Sequence, residues 1–283
     1  MPYPIATLPY PFRRRLRQLL SPNELVQLQI ATGSMEDNKD LLPLKTYYSI
    51  SSVRMQRVSD SYFRFRWSTS NQVIKDGLHL LSPKYLYLDN FTESDTSSRF
   101  FHHLWPSNVI ELIINGSTIT KDFLTKLSQK QLNPKILNIN TCSDLLFTAN
   151  DTKFSHFFKT FPLLETAVFQ YFLTSGWVRH MLGYGKTHLK DLYIADKNFD
   201  RLFSFKSAEL DEFVKAQHAG FKLHILYEGS AFNGDKNVAS IESRVLPMFE
   251  QCFERTDRHD FSIFLGIMYE NSPVFQHHFS LRV

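Results

Sequence analysis

The sequence predicts an α/β protein with a short helical N-terminal element followed by an irregular strand–helix solenoid on a parallel sheet. Three observations predict it. Short apolar runs closed by a polar turn recur through the last two-thirds of the chain. Helix-like stretches separate those runs. Near the start, two helical patterns meet at a Ser-Pro corner.

The first zone spans residues 5–40. Pro11 suits a helix opening, and Phe12, Leu16, Leu19 and Leu20 follow at helical spacing. Ser21 is a natural N-cap, Pro22 fits the first turn, and Glu24 stands where a capping box places its acid. Leu25, Leu28 and Ala31 form the next apolar face, and Gly33 ends it.

The second zone, 41–79, reads as a β-rich connector. YYSISSVRMQRV and YFRFRWSTS form two strands around Ser59-Asp60. Phe63, Phe65 and Trp67 share one face of the latter and Arg64 and Arg66 the other, the period of two expected of a half-buried strand.

The third zone, 80–283, holds the repeats. The runs are YLYLDN, ELIING, ILNINT, TAVFQY, DLYIAD and LHILYE; counted from Leu86, Leu112, Leu137, Ala167, Leu192 and His224, they lie 26, 25, 30, 25 and 32 residues apart. TKDFLTKLSQKQ, KFSHFFKTF and SAELDEFVKAQHAG supply helices between them, the last with Glu209 as first-turn acid and Gly220 as C-cap. This is the period of a leucine-rich-repeat-like unit, whose strand face and helix face are buried only by stacking on neighbours. Asn90, Asn115 and Asn140 are suited to satisfying backbone groups where the chain leaves each strand.

Composition narrows the function. Of 283 residues, 43% are hydrophobic and 26 are Phe, enough for a sizeable core. Residues 1–75 carry 11 Lys+Arg against 5 Asp+Glu, whereas 76–283 carry 21 against 23, so the basic excess is N-terminal. Cys142 and Cys252 have no metal-type spacing and fit a reducing compartment. MPYPIATLPYPFRRR lacks the apolar centre of a signal peptide, and Phe261–Tyr269 is too short to span a bilayer. The expectation is a cytoplasmic or nuclear protein with no membrane association.

Catalytic and metal chemistry find little footing. His102-His103 and His277-His278 are adjacent pairs that diverge on any regular element, so no metal site is expected. Gly183–Thr187 lacks the upstream glycine of a phosphate loop, and no nucleophile-elbow pattern is present. No cofactor and no enzymatic activity are expected. Arg13, Arg14, Arg15 and Arg17, with Arg54, Arg57, Arg64 and Arg66, invite an RNA-binding reading. The aromatics of the second zone alternate with those arginines instead of sharing their face, so nucleic acid is not the expected partner.

The segment Leu8–Met35 resembles an F-box: Leu8-Pro9 match its opening pair, Leu16 and Leu20 its first-helix anchors, Ser21-Pro22 its turn, and Leu25, Leu28, Ile30 and Ala31 its second helix. It departs from that pattern in Pro11, in Arg13, Arg14 and Arg17, and in Met35 at the usual Trp position. With the repeats behind it, the chain resembles the divergent, Phe-rich F-box proteins of the expanded nematode set. The resemblance implies a Skp1-like adaptor protein bound through Leu8, Pro9, Leu16, Leu20, Pro22, Leu25 and Leu28, and a role as substrate-recognition subunit of an SCF-type ubiquitin ligase. The same residues also suit a helical pair that caps the array, in a free-standing scaffold or inhibitor. In either case a protein target of unknown identity would meet the outward strand residues Tyr85, Tyr87, Glu111, Asn138, Tyr193 and His224.

Overall fold

Alternation of apolar and polar side chains drives eleven segments of the described chain into strands, and all of them join one sheet. They are β1 (Thr46–Ser59), β2 (Tyr62–Trp67), β3 (His79–Asp89), β4 (Glu111–Asn115), β5 (Ile136–Asn140), β6 (Thr166–Gln170), β7 (Asp191–Asp196), β8 (Lys222–Glu228), β9 (Phe253–Arg255), β10 (Ile263–Tyr269) and β11 (Ser272–Leu281). The order across the sheet is β2-β1-β3-β4-β5-β6-β7-β8-β10-β11-β9. This computed structural model describes residues 46–59, 62–67, 79–98, 108–130, 132–140, 154–184, 188–229, 234–256, 261–269 and 272–282, with single positions elsewhere.

The six runs found in the sequence are β3 to β8. Each pairs in parallel with the next. Parallel neighbours need a crossover, and the intervening helices supply it. Leu86, Leu112, Leu137, Ala167 and Leu192 align across the sheet, but Leu192 pairs with Leu223, not His224. The last interval is therefore one residue shorter than the sequence count. A shift of one residue exchanges the two faces of a strand, so His224 lies on the opposite face from the leucines, beside Tyr193.

Seven α-helices with described bounds pack on one face. They are α1 (Lys121–Ser128), α2 (Phe154–Thr160), α3 (Trp177–Leu182), α4 (Phe199–Leu202), α5 (Ser207–Ala216), α6 (Gly234–Ser240) and α7 (Leu246–Phe249). The Thr120 hydroxyl caps α1 by accepting the Phe123 N–H at 3.0 Å, and Phe123, Leu124 and Leu127 are its buried stripe. The Glu209 carboxylate accepts the Lys206 N–H at 3.1 Å at the start of α5. A π-turn at Ile241–Val245 separates α6 from α7. Pro247, which has no N–H to donate and crowds the preceding turn, follows directly.

The buried helix residues join one cluster with two strand rows, Leu86 to Ile263 and Leu88 to Leu265. Phenylalanines fill the gap between layers. Phe169 of β6 meets Phe154 and Phe157 of α2 with ring centroids 4.9 and 5.5 Å apart. Trp177 packs on Phe205 and Phe213 while its indole N–H donates to the Leu202 carbonyl at 2.9 Å.

Three strand exits, those of β3, β4 and β6, use a left-handed residue. Asn90, Gly116 and Tyr171 have φ of 58°, 56° and 56°. Their N–H groups donate to Asn115, Asn140 and Ala195 carbonyls of the next strand at 2.8, 2.9 and 2.9 Å. The asparagine role expected from the sequence changes accordingly. Asn90 supplies the left-handed conformation that its short polar side chain tolerates, and Asn115 instead reaches sideways to donate to Asp89 at 2.7 Å.

The β-rich segment read as a connector continues the sheet. β1 runs parallel to β3, and β2 folds back antiparallel on β1. At the other end β10 lies parallel to β8, and β11 and β9 close the sheet antiparallel. The N-terminal segment 5–40 lies outside the described residues except at single positions. Pro11, Phe12, Arg15, Leu19, Glu24 and Leu28 are helical there. Leu8, Leu16, Pro22 and Leu25 lie outside the described residues, Pro9 is exposed, and Leu20 and Leu28 are half-buried.

Candidate functional site

The second face of the sheet carries the candidate site. Among the described residues, none of the buried helix side chains packs on it. All six target-facing residues expected from the sequence fall here, in two neighbouring rows. Tyr85 pairs with Glu111, and Tyr87, Ile113, Asn138, Val168, Tyr193 and His224 align from β3 to β8. Tyr85 is 40% exposed; Tyr87, Glu111, Asn138, Tyr193 and His224 are half-buried. Ile113 is 6% exposed yet lies outside the core cluster, which marks it as a seam on this face.

The strand register builds an aromatic group that the sequence does not announce. Tyr193 and His224 are separated by a crossover, but pairing of β7 with β8 stacks their rings at 3.9 Å and 10°. Phe261 and Phe264 flank the same imidazole, and His278 packs on both of those rings. Burial pushes the His224 imidazole down to about 4, with Lys222 and His278 adding like-charge repulsion. His224 is therefore neutral at pH 7, its Nε2 is buried without a hydrogen-bond partner, and its 4.0 Å approach to Asp191 is not an ion pair.

Acidic groups on this face divide into two kinds. Asp89 holds Arg54, whose Nε is 3.6 Å away and whose guanidinium lies 4.5 Å over the Tyr87 ring. Glu228 accepts the Tyr171 hydroxyl, and Lys197 lies 4.7 Å over that ring. Glu111 has no such company among the described residues, and burial raises its carboxyl above the ordinary carboxylate range. Asp191 approaches the neutral His224 and the Tyr193 hydroxyl, and among the described residues it makes no ion pair with a lysine or arginine. Asn138 Oδ1 is buried without a donor.

Phe261 and Phe264 are not chosen as site residues from sequence, and Arg54 and His278 are singled out there only for an RNA-binding and a metal reading. Their signal was the period-two pattern of FSIFLGIMY and of the strand carrying Arg54; the partner strand in each case was hidden. Among the described residues no group of three His, Cys, Asp or Glu side chains converges on a common point that would hold a metal ion. No described helix is long and apolar enough to cross a membrane. Comparisons with protein-family models, with curated proteins and with solved structures each find no match.

Proposed function

We propose that this chain is a non-enzymatic protein-interaction subunit, and that the second face of its sheet binds a protein target. The carrying observation is the pair of rows from Tyr85 to His224, which places aromatic, amide and carboxylate side chains along the face opposite α1 to α7. Tyrosine offers large contact area with little entropy to lose, and unmet polar groups beside it give selectivity. The sequential parallel strands with helices on one side also support a leucine-rich-repeat-like solenoid, in which that face is the ligand surface.

The segment resembling an F-box gives the second half of the proposal: a Skp1-like adaptor docks at the N-terminus, making the chain a substrate receptor of an SCF-type ubiquitin ligase. Phe12 and Leu19, on the first helical stretch, are 65% and 66% exposed, as an apolar docking surface requires. The RNA reading loses ground because Arg54 and Arg57 are engaged by Asp89 and Asp95.

Co-purification tests it. The unmutated chain is expected to retain the adaptor at micromolar concentration, and Leu16→Asp/Leu25→Asp to lose it while keeping its target. Val168→Trp, in the middle of the second face, is expected to lose the target and keep the adaptor. No adaptor binding by the unmutated chain ends the ligase reading and leaves the scaffold. Target capture unaffected by Val168→Trp ends the face reading.

A further inference from the structure

The second face already shows what its tyrosine–acid pairs hold. At Tyr87 and Asp89 the occupant is Arg54, lying 4.5 Å over the ring and 3.6 Å from the carboxylate. At Tyr171 and Glu228 it is Lys197, 4.7 Å over the ring. In both, a cation meets a ring face; at Tyr87 the acid also meets the cation as its counter-charge, and at Tyr171 the acid accepts the ring's hydroxyl. Two further tyrosine–acid pairs lie on the same face. Tyr85 is the register partner of Glu111, and Tyr193 stands two residues beyond Asp191 on β7. Neither carboxylate meets a lysine or arginine among the described residues. Lys222, the register partner of Asp191, lies instead 4.8 Å over the Phe261 ring.

We propose that the second face recognises a basic, extended segment of its protein target, with one Lys or Arg side chain received at Tyr85/Glu111 and another at Asp191 beside Tyr193. This deepens the target-binding reading and rests on it. Among the described residues, the acceptors on this face that lack a cation and are not shut off from a ligand are the carboxylates of Glu111 and Asp191; the Asn138 carbonyl and His224 Nε2 also lack partners but are buried. Lys and Arg bring only donors, so they complement both carboxylates. Tyr85, at 40% exposed, and Asp191, at 35%, are open to a ligand. At Asp191 the ring of Tyr193 is stacked on His224, so the carboxylate carries recognition there and the hydroxyl assists.

The spacing is fixed by the sheet. Glu111 on β4 and Asp191 on β7 occupy the same row three strands apart through Ile136 and Thr166. At about 4.8 Å per strand that is about 14 Å, or about four residues of extended peptide. Two basic side chains at that separation reach both acids; closer or wider pairs reach one.

The test uses the full chain and short fluorescent Gly/Ser peptides carrying two arginines at varied spacing, read by anisotropy. Binding should be best near a spacing of about four residues, weaken with salt, and fall about tenfold in Glu111→Gln and in Asp191→Asn with unfolding midpoints unchanged. Peptides with glutamate in place of arginine should not bind. Equal binding of the glutamate peptides, or no loss in either variant, overturns the proposal. The failures separate cleanly. If Val168→Trp abolishes target capture while Glu111→Gln/Asp191→Asn leaves it intact, the face binds a target that is not basic. If Val168→Trp also leaves capture intact, the face reading itself has failed.

Discussion

Adjacent residues on β7 should respond to truncation in opposite ways. Leu192 is fully buried in the core row, and Tyr193 is half-buried on the second face. Leu192→Ala removes three carbons from a packed site between sheet and helices, which costs about 2–5 kcal/mol depending on how far the site collapses. For a chain of this size that lowers Tm by roughly 5–15 °C. Tyr193→Ala removes the stack on His224 at 3.9 Å and some partly buried area, about 0.5–1.5 kcal/mol for the ring pair. Urea unfolding of both, with m-values compared to confirm an unchanged unfolded state, gives the two costs; target binding gives the other half. Leu192→Ala should retain target affinity in the folded fraction, and Tyr193→Ala should lose it. If Tyr193→Ala destabilises as much as Leu192→Ala, the second face is a core and the argument for a binding surface fails.

Two further outcomes follow from the geometry. His224 titrates near 4 in the fold against an ordinary 6.5, so the unfolded chain takes up the proton first and stability falls as pH drops from about 6.5 to 4; the loss should approach about 3 kcal/mol and be absent in His224→Leu, as urea midpoints across that range will show. Gly116→Ala places a Cβ 2.6 Å from Asn90 Oδ1 at a φ of +56°; it should destabilise by about 1–2 kcal/mol, and an Asn90→Gly background should remove the clash but not the backbone part, measurable as a coupling in a double-mutant cycle.

The central strands were legible because each carries a whole repeat unit: an apolar run of period two, a turn, and a helix whose buried face returns the chain. Phe123, Leu124 and Leu127 on α1 and Phe213 on α5 signal that return locally. The sheet's two ends were not legible as its ends. β2, β9 and β11 join by antiparallel pairing, which leaves no crossover interval, and β1 joins β3 in parallel across an interval that holds another strand, β2. Phe261–Tyr269 was noticed only as a stretch too short to span a bilayer, because the π-turn and Pro247 before it hide the helix that would have identified it as another parallel strand. On the site, period-two alternation was enough to choose Tyr85, Tyr87, Glu111, Asn138 and Tyr193. Register was needed to see that His224 stacks on Tyr193 and that Arg54 fills the Tyr87–Asp89 pair while Glu111 meets no cation among the described residues.

Hydroxyl-radical footprinting of the chain, alone and with its target bound, tests the central claim most directly, since it reads side-chain exposure residue by residue. Bound target should reduce modification of Tyr85, Tyr193 and Phe264 on the second face, and leave Leu163, exposed in the turn after α2, at its free rate. Protection of Leu163 with Tyr85 and Tyr193 unchanged would contradict it.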